Sequence, residues 1–303
     1  MPSISTPGSN SQEASGRGAV EDCAKNFLPL DFINFSMPYR RIDSATWERT
    51  NNGLTLTMVG GHVRGPSGSH IMLPYGKYAR AVVMMLGTEA KKTNSREIEI
   101  QNSYRGFMKQ LGLSWSQRNA AEAIRQLQAF LATSISVTAS ETADDGRLNV
   151  KNYGFRVSSE SDFWFDANAS GDLDRGSKSV VVLSEDFYDS LMHQRSAPIN
   201  AQAWSHLINT TKSPMALDVY TWLSYRLHDL KKPQPISWQQ IYDQFGSQDE
   251  LKRFKAKFRT ALVAAKEVYP EADIAEVGTP RTKGLHGFLL KMSKNALDTS
   301  WRP

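Results

Sequence analysis

A single cysteine, Cys23, rules out an intrachain disulfide and any zinc site built from several thiolates. The longest apolar run, residues 81–86, falls far short of the roughly 20 residues that cross a bilayer. The opening MPSISTPGSNSQEASGRG has no apolar core of the signal-peptide kind. These shortages together lead us to expect a cytoplasmic protein with no membrane partner. Catalytic signatures are missing too. There is no Gly-x-x-x-x-Gly-Lys-Ser/Thr phosphate loop and no Gly-x-Ser-x-Gly elbow. The histidines, His62, His70, His193, His206, His228 and His286, show no metal-ligand spacing on one helix or strand. A rolling-circle nicking enzyme would need such a pair beside its tyrosine. Asp166, Asn168, Ser170 and Gly171 imitate the start of a calcium loop, but Ser177 stands where the bidentate glutamate belongs. The expectation is a protein that is not an enzyme and uses no cofactor or metal.

What the chain does have is an uneven charge. Lysine and arginine number 36 against 31 acidic residues, a net +5. Residues 1–211 carry 21 of each sign, whereas residues 212–303 carry 15 basic and 10 acidic. An excess confined to one third of the chain points to a polyanionic partner for that third. At 303 residues the chain is long enough for two domains.

Residues 1–26 are rich in Ser, Gly and Pro and read as a disordered arm. Residues 27–39 are apolar but broken by Pro29 and Pro38, which suggests a docking segment. Leu54, Leu56 and Met58 alternate with threonines as in a strand, and the glycine-rich stretch 60–68 reads as a loop. Residues 73–137 then repeat as 211–277 at a constant offset of 138. Val82 falls on Tyr220, Ile98 on Ile236, Tyr104 on Tyr242, Phe107 on Phe245 and Ile124 on Leu262. Each copy reads helix, short strand, helix, turn, helix, β-hairpin. In the first copy ISVTAS and NVKNYGFRVS form the hairpin; in the second, ADIAEV and GFLLKMS do. Between the copies, SVVVL reads as a buried strand and EDFYDSLM as a helix. The pattern predicts an α+β, mainly helical chain of two tandem winged-helix (helix-turn-helix) domains. The division is a 1–26 arm, a first domain over 27–204 with an extension and inserted strands, and a second over 205–303.

The third helix of the second copy is the strongest candidate for reading DNA. Leu251, Phe254, Phe258, Leu262 and Ala265 share an inward face. Arg253, Ala256 and Thr260 lie opposite; Lys252, Lys255 and Arg259 line one flank and Lys257 the other. Such a run is ordinarily a solvated face. At the recognition position of a helix-turn-helix it suits a major groove. Flanking lysines meet phosphates, an outward arginine reads guanine, and Ala or Thr lies against thymine methyls. The turn between its strands adds Arg281 and Lys283 between Gly278 and Gly284. In the first copy Arg118 and Arg125 point outward with Glu122 between them, and its turn carries Asp144 and Asp145 against Arg147. Weaker DNA contact, or protein contact, is expected there.

The blocks LPYGKYARAVVMMLGTEA, TNSREIEI, SYRGFMKQLGLS, SPMALDVYTWLSYRLHDLKKPQPISWQQIYDQFG and FKAKFRTALVAAKEVYPEA resemble the plasmid-encoded RepA family, over residues 72–290. The resemblance implies a plasmid replication initiator. Such a protein would bind repeated sites in double-stranded origin DNA, promote local duplex opening, bring in host replication proteins, and possess a capacity for self-association. It places DNA contact on residues 252–259 and near Arg118 and Arg125. A transcriptional repressor, acting on its own gene, is the alternative with the same fold.

Overall fold

The computed structural model describes residues 25–51, 53–65, 68–142, 148–162, 179–193, 196–247, 249–278 and 284–302. Arg281, Lys283, Cys23, the Asp144–Asp145–Arg147 turn and the calcium-like stretch lie outside them. Among the described residues the fold is α+β, with five small antiparallel sheets among the helices.

The N-terminal segment docks as its apolar residues suggest. Strand β1 (Lys25–Pro29) pairs antiparallel with β11 (Ser196–Asn200). The helical turn α1 (Asp31–Asn34) follows, and Leu28, Phe32, Ile33, Phe35 and Met37 are buried. Lys25 and Asn26, inside the stretch read as a disordered arm, belong to β1, and the rest of that stretch lies outside the described residues.

The first repeat runs α2 (Gly76–Thr93), β6 (Glu97–Ile100), α3 (Tyr104–Gln110), α4 (Gln117–Leu131). The second runs α7 (Pro214–Leu227), β12 (Gln234–Ser237), α8 (Trp238–Phe245), α9 (Leu251–Val268). The sequence boundary at 204/205 cuts α6 (Ala201–Thr210), whose Trp204 and Leu207 are buried on either side of it. One hydrophobic core runs from Leu28 to Ala296 through both repeats.

The constant offset of 138 holds for α2 and α7 but not beyond the short strands. The N-caps of the second helices, Ser103 and Ser237, are 134 apart (237 − 103). So are the left-handed glycines after them, Gly112 (φ 70°) and Gly246 (φ 55°), and the N-caps Ser116 and Glu250 of the third helices. Three residues separate β6 from α3, whereas Ser237 both ends β12 and caps α8. The true equivalents are therefore Phe107 with Ile241 and Ile124 with Phe258. A slip of four is about one helical turn, so it preserves the apolar phase and is invisible in a hydrophobic pattern.

The strands correct a second expectation. In the second repeat β13 (Ile274–Val277) and β14 (Gly287–Leu290) form a sheet of order β12-β14-β13. The same order in the first repeat is β6-β10-β9, with β9 (Ser158–Asp162) and β10 (Ser179–Leu183). The hairpin read as the first wing, β7 (Ser134–Thr142) and β8 (Leu148–Arg156), instead extends β2 (Thr46–Asn51) and β3 (Leu54–Val59) into a sheet of order β2-β3-β7-β8. The glycine-rich stretch is likewise no loop. It forms the hairpin β4 (Gly61–Gly65) and β5 (Gly68–Met72). Only Val63 and Met72 point inward from it, too few apolar residues to show an alternation. The segment between repeats behaves as read, with β10 buried and α5 (Glu185–Met192) covering the core through Phe187 and Leu191.

The repeats are joined by like elements. Arg80 on α2 and Asp218 on α7 hold the same position (218 − 80 = 138) and bind each other, Nε to Oδ1 at 2.5 Å and Nη2 to Oδ2 at 2.7 Å. The other guanidinium protons go to the carbonyls of Gly76, Pro38 and Met37. Burial is the largest influence and opposes the charge, but the attraction and hydrogen bonds of Asp218, with those of Tyr39, together hold the guanidinium above its ordinary range.

Candidate nucleic-acid interface

Helix α8 is set by a capping box at Ser237 and Gln240 and stops at Gly246, whose φ of 55° suits glycine. Helix α9 follows and buries Phe254, Phe258, Ala261, Leu262, Ala265 and Val268. Phe254 and Phe258 meet Trp238 at ring distances of 6.4 and 5.7 Å, and Phe258 also meets Trp222 and Phe288. This aromatic packing fixes the rotation of α9 and turns Lys252, Arg253, Ala256, Lys257, Arg259 and Thr260 to solvent, with Lys255 half-buried.

The structure divides those cations into groups. Lys257 Nζ donates to Asp249 Oδ2 at 2.5 Å, and Arg253 Nε lies 3.7 Å from Oδ1 of the same residue. The Lys257 hydrogen bond holds the Asp249 carboxyl below its usual range. Arg259 makes a two-point contact with Glu276 on β13, at 2.8 and 2.6 Å, which holds the glutamate below its usual range as well. Trp238 Nε1 donates to the same Glu276 at 3.2 Å, and Lys255 and Arg259 both stand over the indole ring. Arg259 therefore fastens the helix to the sheet. Among the described residues no carboxylate pairs with Lys252 or Lys255.

Two features of this surface escaped the sequence. Val263, 63% exposed, continues the outward line of Ala256 and Thr260 by one more turn. That spacing was available in the sequence. The other is tertiary. Ala256, Lys257 and Thr260 border a cleft of about 480 Å³ whose lining also includes Tyr39 and Trp47. Arg49, stacked 3.6 Å over Trp47, donates to the carbonyl of Gly246 at 2.6 Å. Burial pushes the Arg49 guanidinium below its ordinary range. The N-terminal sheet thus braces the turn between α8 and α9.

With the corrected offset, Arg118 and Arg125 fall on the positions of Lys252 and Arg259 (118 + 134 and 125 + 134). Arg118 is exposed, and Arg125 is bound by Glu122. The equivalents of Thr260 and Val263 are Gln126 and Ala129, both fully buried. Gln126 accepts from the Tyr75 backbone N–H at 2.8 Å, and Ala129 packs against Val63 and Met72 of the β4–β5 hairpin. Half of the face that α9 leaves open is covered on α4.

The described residues contain no group of histidine, cysteine or carboxylate side chains that would hold a metal ion, and no helix long and apolar enough to cross a membrane. In fold the chain resembles the crystal structure of domains 2 and 3 of RctB, in a selenomethionine form. The TM-score is 0.55 at 8% identity, with 88% of this chain and 98% of that one covered. A second RctB domain 2–3 structure gives a TM-score of 0.50 at 7% identity, covering 87% and 96%. No curated protein matches in sequence. The family model described as plasmid-encoded RepA protein matches residues 73–240, which span the first repeat and the second through the start of α8. The chain belongs to the plasmid-encoded RepA family of replication initiators.

Proposed function

We propose that this protein initiates plasmid replication by binding repeated sites in double-stranded origin DNA through two tandem winged-helix domains, promoting local duplex opening and recruiting host replication proteins. It acts as a binding protein, in the cytoplasm, without catalysis of its own. The observation that carries the reading is the open face of α9. Lys252, Arg253, Ala256 and Thr260 face solvent on the third helix of a repeat that keeps the β12-β14-β13 sheet beside it.

Within that face the residues take different parts. Lys252 and Lys255 neutralise phosphates. Arg253, 74% exposed and only 3.7 Å from Asp249 by its Nε, reads a base. Ala256 and Thr260 present small side chains to the groove floor. Arg259 and Lys257 hold the helix to β13 and to its own N-terminal turn.

The experiment is a salt titration of binding to a duplex selected from a random pool by the parent protein, and to random duplex. Lys255→Ala weakens both and lowers the log–log salt slope by about one unit. Arg253→Ala costs about 1–3 kcal/mol on the selected duplex and much less on random DNA. Parent-like binding by both variants removes α9 from the interface.

A further inference from the structure

In the first repeat, β4, β8, β9 and the C-terminal end of α4 enclose a polar cleft of about 350 Å³. Arg64 and His62 enter it from β4, Arg156 from the end of β8, and Ser159, Glu160 and Ser161 from β9. Among the described residues neither Arg64 nor Arg156 has an ion pair or a side-chain hydrogen bond. Among the described residues of the lining, Glu160 is the single carboxylate against two guanidiniums.

The walls are held in place. A Cβ at Gly61 would lie 2.2 Å from the carbonyl oxygen of Ala132, so β4 abuts the end of α4 as only glycine allows. His62 Nδ1 lies 3.2 Å from Ser69 Oγ across the hairpin. The Arg156 carbonyl accepts from the Ser184 hydroxyl, which ties the bend between β8 and β9 to α5. Two arginines and the Ser161 hydroxyl lining one open hollow are donors for an oxyanion, while the Ser159 hydroxyl donates to the Val182 carbonyl at 3.3 Å.

Its position says which oxyanion. Ala132, in the lining, lies seven residues beyond Arg125, which lies seven beyond Arg118. Seven residues are nearly two helical turns, so one flank of α4, about 20 Å long, leads from Arg118 through Arg125 to the cleft. Along this flank α4 remains open, while its neighbouring face is covered by the hairpin at Ala129 and by the Tyr75 backbone at Gln126.

We propose that the Arg64–Arg156 cleft seats one phosphate of the DNA backbone and gives the first repeat its own sequence-independent grip on duplex. This rests on the DNA-binding reading above. The hairpin that covers Ala129 on the first repeat's reading face supplies in exchange a backbone contact.

The test uses the full chain, a labelled random duplex of about thirty base pairs and a salt titration. Arg64→Gln and Arg156→Gln should each lower the salt slope by about one unit, and the double variant by no more, because both donors share one phosphate. Arg64→Lys and Arg156→Lys should keep most of the slope. Circular dichroism and melting report whether each variant folds; both side chains are exposed, so parent-like melting is expected. Slopes that add to about two units in the double variant would mean two separate contacts and overturn the shared site. Unchanged slopes, with Lys255→Ala still weakening binding, overturn this proposal alone. An inorganic phosphate titration without DNA identifies a site for free anion. If it stabilises the parent and not the double variant while DNA slopes stay unchanged, the DNA assignment fails. If the parent binds no duplex, the functional reading falls and this inference with it.

Discussion

Replacing Arg80 by methionine should be among the most damaging single changes in the molecule. The Asp218 carboxylate is 9% exposed and receives two charge-assisted hydrogen bonds from Arg80. Methionine removes both, along with the donors to the Met37, Pro38 and Gly76 carbonyls. Breaking a buried pair from one side costs about 3–5 kcal/mol, since the remaining charge stays desolvated. For a chain of this size, roughly 4 kcal/mol lowers the melting temperature by about 7 °C. Arg80→Met/Asp218→Leu should be markedly more stable than Arg80→Met, because it buries neither charge. The couple in a double-mutant cycle should reach about 2–3 kcal/mol. Urea unfolding followed by circular dichroism and by tryptophan fluorescence measures all four proteins and checks that one transition is present. A single variant that costs less than about 1 kcal/mol, or a double variant that costs the sum of its parts, would refute the claim that this pair joins the repeats.

Three further outcomes are expected. Gly246→Ala should cost about 2–3 kcal/mol, since its Cβ would meet Arg49 Nε at 1.9 Å at a positive φ; Gly112→Ala, with nothing nearer than Ser205 Oγ at 4.0 Å, should cost about 1 kcal/mol, the conformational part alone. Equal urea midpoints for the two would deny the Arg49 brace. Burial raises the Glu271 carboxyl, but donation by the Ser300 N–H and the Thr299 hydroxyl brings it down to about 2. Its folded value lies below the unfolded one of about 4.3, so its stabilisation is complete above pH 5 and declines as pH falls toward 2. The stability gap between parent and Glu271→Gln should therefore be narrower at pH 3 than at pH 6, and an equal gap would contradict the assignment. Deleting residues 1–24 should leave DNA affinity within about threefold, because this Ser- and Gly-rich segment offers little apolar surface to bury; a hundredfold loss in anisotropy titrations would place that segment in the complex.

The sequence by itself determined what local periodicity and capping control. The repeat, the inward face of α9, the glycine stop at Gly246, β10 and α5 all follow from spacing and residue type. So does the basic outward run, because burying Phe254 and Phe258 leaves Arg253 and Ala256 nowhere else to point. The family was legible too, since its blocks are long. Tertiary structure decided everything that depends on partners distant in sequence. The register slip from 138 to 134 was hidden by helical periodicity, which cannot distinguish a shift of one turn. The choice of β9 and β10 over β7 and β8 to complete the first three-stranded sheet is a matter of pairing, and β9, Ser158–Asp162, has no apolar residue for a pattern to register. The pairing of Arg259 with Glu276, 17 residues on, and the capture of Lys257 by Asp249 took cations from the surface that composition counts as free. The covering of Ala129 by a glycine-rich hairpin required a close backbone approach near Gly61, which a hydrophobic pattern does not record. Periodicity reveals which side of an element is apolar; only the folded chain decides what covers the other side.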